Sequence, residues 1–457
     1  MSYRPPKGSS ERAPERESLT FLVRKDVKKH LEAGKRFFDQ GLIERAIERY
    51  QQALAADPSC ALIHFNLGFA YHEEGNISEA RRNYERAIDL EPNCSLFPEH
   101  LARLHFELEE YHQCIDLFMQ ASLVGQMLPI SYGLLGRAYF EIGQYHDALE
   151  CLRQMIDGES NPGLVCVAKS YMVRCLLELS RMYEARQLAR QMLRNEDAEV
   201  RVLMDLGEAF LRARAIDLSR EFFEKVILRR EEALAARRRI EEIQKIDHQI
   251  DEFLPQLYQA DEEKLLRYAN VLMKVGSARV SQKLISGFRN SVSPMVREAV
   301  IEYHRRYGLE EFEMLGGAES DPVDFVREKY VEYVSDCRYP EKKRFMERCL
   351  GSDSERVRLL AARYFEDMGS MDLLPALEAS CAAEPSEEVR GALRTTIANV
   401  KRRGQETIAE MYAQAPPRAL EEPGGGVSWR TIALYGTGVL LTLYLVIHLI
   451  LKGIGAF

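Results

Sequence analysis

The sequence predicts an all-α protein in which short helices recur in pairs, with a single membrane-spanning helix at its C-terminus. Three observations predict this fold class. The first half of the chain has an internal period of 34 residues, the second half has a period of about 31 residues, and an uncharged apolar run of 21 residues lies close to the end. With 457 residues, the chain is long enough for two or three domains.

The composition is that of an ordinary globular protein, with 46% hydrophobic and 29% charged residues. A net charge of −9 argues against nucleic acid as a partner. Residues 1–25 begin with a charged, Pro- and Ser-containing stretch that has no apolar run, so we expect a disordered N-terminus and no secretory signal. The nine cysteines form no CxxC pair, which favours free thiols in a reducing compartment.

The 34-residue period is carried by residues of particular size. Small Gly and Ala residues allow two helices to approach closely, a large Phe or Tyr fills the space beside them, and a proline ends the second helix. The matching positions are Ala33, Gly34, Phe37, Gly41, Ala46, Tyr50, Ala53 and Pro58 in the first copy and Leu67, Gly68, Tyr71, Gly75, Ala80, Tyr84, Ala87 and Pro92 in the second.

This pattern resembles the tetratricopeptide repeat (TPR) family, whose repeats are helix–turn–helix units of 34 residues. Further copies are centred near Ala102, Gly136, Leu176 and Gly207. The resemblance implies a helical-repeat solenoid with TPR-like repeats over residues 26–228. Residues 229–258 are rich in Glu and Arg and predict a connecting or capping helix.

The second period is carried by a Val-Arg pair that begins each of four short apolar helices. Turn or helix-start residues precede every pair. The pairs are Val296-Arg297, Val326-Arg327, Val357-Arg358 and Val389-Arg390. This pattern resembles the HEAT family and implies HEAT-like repeats over residues 259–404.

In the HEAT family, an Asp six residues before such an Arg can pair with it between repeats. Asp321 matches this position, and Glu384 is a chemical substitute. Ser291 and Ser352 occupy it in the other two copies and depart from the family pattern. The resemblance therefore predicts at most a partial ionic ladder between these repeats.

The end of the chain predicts a membrane anchor over residues 429–457, after a tail and flexible linker over residues 405–428. At about 1.5 Å per residue, the uncharged run from Thr431 to Leu451 matches a bilayer core of about 30 Å. Trp429 and Arg430 flank one side of it and Lys452 flanks the other. The arrangement resembles tail-anchored proteins and predicts a single-pass membrane protein with its N-terminal bulk in the cytosol. A bacterial inner membrane and a eukaryotic organelle surface both remain open.

Motifs that carry chemistry are missing from the sequence. It contains no GxxxxGK[ST], GxGxxG, HExxH or GxSxG. The densest group of metal-ligand types, His100, His105, His112 and Cys114, has spacings of five and seven that do not share one helical face. We therefore expect no catalytic residues, no metal, no cofactor and no enzymatic activity.

The candidate site follows from the TPR resemblance, which implies that the first helix of each repeat faces a binding groove. At the groove positions, a row of bases lies beside a row of aromatic residues, which suits a protein or peptide segment with apolar and acidic side chains. The candidate peptide-binding residues are Phe38, Phe69, Arg103, Phe106, Arg137, Phe140 and Arg174. The alternative is that each Arg only pairs with a Glu four residues later, as Arg137 could with Glu141.

The predicted function is that of a membrane-anchored scaffold that recruits cytosolic proteins through the groove and the HEAT-like surface. Two alternatives remain: a receptor or assembly factor for other membrane proteins, and a HEAT-like enzyme of the lyase type. The sequence leaves the partner and the oligomeric state open.

Overall fold

The structure is a computed structural model that describes residues 25–194, 198–230, 232–257, 273–289, 291–339 and 341–413. The chain divides into two compact units, Met1–Asp251 and Glu252–Phe457. Each unit is described by itself.

The described part of the first unit consists of six helix pairs followed by one long helix. The two helices of each pair contact each other, and from the second pair onward the first helices of neighbouring pairs also touch. The helices are α1 (Lys25–Asp39), α2 (Ile43–Ala56), α3 (Ala61–Glu74), α4 (Ile77–Leu90), α5 (Leu96–Glu107), α6 (Tyr111–Val124), α7 (Pro129–Glu141), α8 (Tyr145–Gly158), α9 (Pro162–Glu178), α10 (Met182–Arg194), α11 (Val200–Arg212), α12 (Ile216–Leu228) and α13 (Ala233–Leu257).

A close contact between a glycine and a large side chain holds four of the six helix pairs together. A Cβ atom added to Gly68 in α3 would lie 2.8 Å from Cδ1 of Tyr84 in α4, a ring that is fully buried. The same overlap would occur at three other glycines with side chains sixteen residues later. These further contacts are Gly34 with Tyr50, Gly136 with Leu152 and Gly207 with Phe223. Glycine costs a helix about 1 kcal/mol relative to alanine, and close packing compensates for that cost here.

The turn inside each helix pair requires a residue with a positive φ angle. Glycine occupies this position in the first, second and fourth pairs, as at Gly75 with φ +89°. In the third, fifth and sixth pairs the position holds Glu109, Ser180 and Arg214, with φ between 58° and 61°. A left-handed conformation costs such residues about 1–2 kcal/mol. The turn geometry is therefore retained in copies whose sequence has lost the glycine.

The described part of the second unit is also helical, and its longer helices pack in succession: α15 contacts α17, α17 contacts α19, and α19 contacts α21. Its helices are α14 (Ala278–Phe288), α15 (Pro294–Arg306), α16 (Phe312–Leu315), α17 (Asp324–Asp336), α18 (Lys342–Cys349), α19 (Glu355–Met368), α20 (Leu374–Ala383) and α21 (Glu387–Ala413), with short 3₁₀ segments at Gly316–Ser320 and Met371–Leu373.

Arginines near the start of α15, α17, α19 and α21 form a regular hydrogen-bond pattern. Each donates to the main-chain carbonyl six residues before it; for example, Nη1 of Arg297 lies 2.7 Å from the oxygen of Ser291 and Nη1 of Arg358 lies 2.8 Å from that of Ser352. Because the acceptor is the main chain, a serine serves as well as an acid. This explains how the two serine copies keep the same local structure.

Three of these arginines also bind an acid that precedes the next helix in the series. Arg297 holds Asp321 through two hydrogen bonds of 2.7 and 2.8 Å, and Arg358 holds Glu384 at 2.8 and 2.9 Å. The third, Arg327, lies 3.0 Å from an exposed acid, Asp353. Hydrogen bonds from the arginines outweigh burial and lower the pKa of Asp321 and of Glu384. Both carboxylates are therefore held ionised in a buried position, at 6% and 5% exposure.

The prediction of a single-pass membrane protein is corrected by the structure. Among the residues that it describes, no helix is both long and apolar enough to cross a membrane. The two longest helices, α13 and α21, carry charged residues along their length, which opposes transfer into hydrocarbon. Of the tail and linker predicted over residues 405–428, residues 405–413 belong to helix α21 instead. The remainder of that segment, the run from Thr431 to Leu451 and its flanking residues lie outside the described residues.

Replacing Glu109 by glycine should stabilise the first unit. The change removes left-handed strain but adds freedom to the unfolded chain, so we expect a net gain of about 0.5–1 kcal/mol. Urea unfolding followed by circular dichroism measures it. As a control, glycine at the exposed Glu85 inside α4 should cost about 1 kcal/mol. A Glu109→Gly variant that is no more stable than wild type would contradict the strain argument.

Removal of the Arg358 guanidinium should destabilise the second unit strongly. Arg358→Leu leaves the buried Glu384 unpaired, which costs about 3–5 kcal/mol. Arg363→Leu, on the same helix, is the matched control: its partner Glu388 is 3.9 Å away and both side chains are well exposed, so we expect a change within about 0.5 kcal/mol. If Arg358→Leu and Arg363→Leu lower the free energy of unfolding in urea by the same amount, the buried ion pair does not stabilise the unit as argued.

The same pair should give a defined pH dependence. Glu384 has a pKa below its usual 4.5 in the folded protein, so its contribution to stability is fully present above that pH. The contribution is then lost as the pH falls through the lowered pKa. Accordingly, the stability difference between wild type and Glu384→Gln should be constant at neutral pH and shrink in acid.

Candidate protein-interaction surface

All seven predicted site residues lie on the first helices of the first five pairs, α1, α3, α5, α7 and α9. We call the side of the unit that carries them the first-helix surface. Their aromatic rings are half-buried, so each ring is partly held by the core and partly accessible. The structure brings these residues together in three groups of different chemistry.

The first group is apolar. The rings of Phe38 in α1 and Phe69 in α3 lie 5.0 Å apart, and Phe69 also meets His100 of α5 edge-on at 5.4 Å. Both phenylalanines pack at the edge of the first hydrophobic core. They form an aromatic patch across the first two pairs.

The second group is an ion-paired cluster around Glu107. Its carboxylate lies 3.2 Å from Nε of Arg103 and 2.9 Å from Nε2 of His72, which belongs to the preceding pair. Burial acts to raise the pKa of Glu107, but the hydrogen bond from His72 and the attraction of both partners outweigh burial and lower the pKa. Arg103 is thus neutralised by the acid four residues later, as the local-pairing alternative requires.

The third group consists of two arginines stacked on aromatic rings. The guanidinium carbon of Arg137 lies 4.8 Å from the ring centre of Phe106 and 5.1 Å from that of Tyr171. The guanidinium carbon of Arg174 lies 4.3 Å from the ring centre of Phe140 and 4.9 Å from Tyr171. Both arginines therefore share one tyrosine, and the cluster extends across the third, fourth and fifth pairs.

These two arginines differ from Arg103 in their pairing. Within the part of the chain that the structure describes, neither Arg137 nor Arg174 forms an ion pair, although Glu141 and Glu178 lie four residues after them. Nε of Arg137 is buried and has no hydrogen-bond partner there. The local-pairing alternative therefore accounts for Arg103 and fails for the other two.

Tyr171, the ring that joins the two arginines, was not among the predicted site residues. Its spacing in the sequence could have indicated the contact, because Tyr171 precedes Arg174 by three residues and residues at that spacing share a helix face. Tyr111 and Tyr145 were missed as well; their rings pack 5.7 Å from Phe106 and 5.6 Å from Phe140. All three are tyrosines outside the groove positions that the family resemblance supplied.

Other reactive side chains in the described residues are engaged in packing or pairing. Among these residues, no group of three or more His, Cys, Asp and Glu side chains is placed to hold a metal ion. Nδ1 of His105 lies 2.5 Å from Glu110, which Arg81 also binds at 2.9 Å. Burial raises the pKa of Cys114 to about 12 and of Cys175 likewise, so these thiols are poor nucleophiles.

Comparison with solved structures finds matches of low sequence identity. YrrB, described as a TPR protein with an unusual peptide-binding site, is 16% identical, covers 42% of this chain and 97% of its own, and has a TM-score of 0.37. PilF of Pseudomonas aeruginosa is 16% identical, with 50% and 99% coverage and a TM-score of 0.39. MamA of Desulfovibrio magneticus RS-1 is 15% identical, with 45% and 96% coverage and a TM-score of 0.31. These values carry no functional inference.

Comparison with curated proteins finds no match. Family models do match the chain: a TPR repeat over residues 34–75 and tetratricopeptide repeats over residues 61–94 and 130–157. The matches cover the pairs in which Gly34, Gly68 and Gly136 make their close contacts. The prediction of TPR repeats is thereby confirmed, and the first unit of this chain contains tetratricopeptide repeats.

Proposed function

We propose that the first unit is a protein-interaction module whose first-helix surface binds a segment of a partner protein with apolar and acidic side chains. TPR repeats mediate protein–protein interaction, which supports the general class. The observation that carries the proposal is the pair of stacked arginines, Arg137 and Arg174, for which the described residues supply no acid.

Partial desolvation of an unpaired charge supports this proposal. The guanidinium group of Arg137 lies against two rings and has no acid partner in the described residues, and such a group is stabilised by a counter-charge. Because Nε of Arg137 is already buried, a ligand carboxylate would accept short, charge-assisted hydrogen bonds from the terminal N–H groups. The rings of Phe106 and Phe140 beside the arginines offer apolar area of the kind that forms binding hot spots.

The proposal also gives the second unit a role as an additional interaction surface. We propose that it consists of HEAT-like repeats, and the support is the recurring hydrogen bond from each helix-starting arginine to the carbonyl six residues before it, together with the pairs Arg297–Asp321 and Arg358–Glu384. Together the two blocks would form a scaffold without catalytic activity.

If the first-helix surface binds an acidic segment, reversing the charge of one of its arginines should weaken binding. A partner first has to be captured with the full chain and then titrated against purified variants. Arg137→Glu should lower affinity at least tenfold, about 1.4 kcal/mol, without loss of helicity. Phe106→Ala and Phe140→Ala should each weaken binding by about 2 kcal/mol.

The matched control is Arg153→Glu on α8, a second helix, where the side chain is exposed and lies 3.9 Å from Glu150. It makes the same change of charge away from the first-helix surface and should leave affinity unchanged. If Arg137→Glu, Phe106→Ala and Phe140→Ala all bind the partner like wild type, the proposal is wrong and the second unit becomes the better candidate.

We further propose that the repeat blocks over residues 26–228 and 259–404 fold independently, joined by the helix that follows α12. Limited proteolysis should then release fragments of about residues 25–255 and 255–410. Each fragment should keep its helicity in circular dichroism. One resistant core without a cleavage between the blocks would show a single continuous folding unit.

A further inference from the structure

The first-helix surface changes its chemistry from one end to the other. At equivalent positions of successive first helices the chain has Lys35, Phe69, Arg103, Arg137 and Arg174. In the structure Lys35 is exposed, Phe69 is part of the aromatic patch and Arg103 is neutralised by Glu107. Arg137 and Arg174 are stacked on rings without an ion pair in the described residues. The surface therefore has an aromatic patch with one exposed lysine beside it, a neutralised middle, and a cationic end at which rings hold two arginines.

We infer that this surface binds one extended segment of a partner protein at two separate places. An apolar side chain of the segment contacts Phe38 and Phe69, and an acidic side chain contacts Arg137 and Arg174. The inference rests on the proposed function and adds to it the order and the spacing of the recognised groups.

The acidic group is placed at the cationic end, because two guanidinium groups held by rings lie there, whereas the exposed Lys35 near the aromatic patch is a single flexible charge. An incoming carboxylate near the middle would meet Glu107, which already receives hydrogen bonds from His72 and Arg103. A second acid there would be repelled and would compete for donors that are in use. At the cationic end the ring faces hold the guanidinium groups in place, so that a carboxylate can accept from their N–H edges without displacing an internal partner.

The spacing follows from helix packing. Packed helices lie about 8–10 Å apart, so the three repeats between the two ends correspond to about 30 Å. An extended chain advances about 3.3 Å per residue, which places the two recognised side chains about nine residues apart. A segment with a shorter separation reaches only one end.

The test uses the full chain and a set of amidated synthetic peptides in Gly-Ser background. One peptide carries Leu-Phe and Glu-Glu separated by ten residues, a second carries them separated by three, and two more carry only Leu-Phe or only Glu-Glu. The first is fluorescently labelled and its affinity is measured by anisotropy; the others compete with it. A three-residue spacer spans at most about 10 Å and a ten-residue spacer at least 30 Å when extended.

Two variants separate the ends. Arg137→Gln/Arg174→Gln should weaken the Glu-Glu competitor about tenfold or more and change the Leu-Phe competitor less than about twofold. Phe38→Ala/Phe69→Ala should do the reverse. The long-spacer peptide should bind at least about tenfold more tightly than the short-spacer peptide, because only the long one engages both ends. Its salt dependence should disappear in the arginine variant and persist in the phenylalanine variant.

A gain-of-function variant makes the test independent of damage to the fold. Glu107→Gln removes the acid that neutralises Arg103 and thereby extends the cationic end toward the middle by one repeat. It should strengthen the Glu-Glu competitor, and it should reduce the difference in affinity between the long-spacer and short-spacer peptides, since the cationic end then begins one repeat, about 10 Å, closer to the aromatic patch. A weaker or unchanged Glu-Glu competitor would count against the inference.

The outcomes also distinguish the inference from the proposed function. If both double variants weaken both competitors equally, or if spacer length has no effect, the surface is uniform and the inference is overturned while the proposed function stands. If the long-spacer peptide does not bind at millimolar concentration, the inference is likewise overturned. The proposed function fails separately, when a partner captured by the full chain binds Arg137→Glu, Phe106→Ala and Phe140→Ala like wild type.

Discussion

The first unit depends on one repeated contact, in which a residue without a side chain on one helix admits a large side chain sixteen residues later. At Gly68 even a methyl group would overlap the buried ring of Tyr84, and at Gly207 it would overlap Phe223. This contact fixes the distance between the helices of a pair by excluded volume, which permits little adjustment. Because the contact lies between the helices, side chains on the other side of the first helix are only partly packed against the core, so bases and aromatic rings can occupy that side.

Much of this fold could be predicted from the sequence because the contact leaves a trace in residue size at a constant spacing. The third, fifth and sixth repeats are harder to recognise from the sequence. At the left-handed turn position, where the other repeats have glycine, they have Glu109, Ser180 and Arg214. The backbone there is kept by the packing of the helices on both sides. A strained conformation of this kind is invisible to residue preferences.

In the second unit, too, part of the structure could not be predicted from the residue pattern. Departures at Ser291 and Ser352 predicted an incomplete ladder, yet both positions serve the neighbouring arginine through their carbonyl oxygens. A residue pattern depends on side chains, whereas the acceptor geometry that recurs here belongs to the main chain. The acid that approaches Arg327 from the next connection is Asp353, one residue after the expected position, and sequence spacing alone could not have assigned it.

For the candidate site, the sequence placed the right residues on one surface and described them as a uniform row. What it could not supply was the pairing, because Arg103, Arg137 and Arg174 have an acid at the same spacing and only Arg103 uses it. Aromatic rings account for this difference in pairing. Arg137 and Arg174 lie against Tyr171, and the aromatic faces hold each guanidinium away from the acid on its own helix. Stacking leaves the terminal N–H groups of the guanidinium plane available, although Nε of Arg137 is buried, and it lowers the side-chain entropy that a ligand would otherwise have to remove. A lysine at either position would keep the charge but lose the plane, so the recognition argued for this surface depends on the shape of the guanidinium group as much as on its charge.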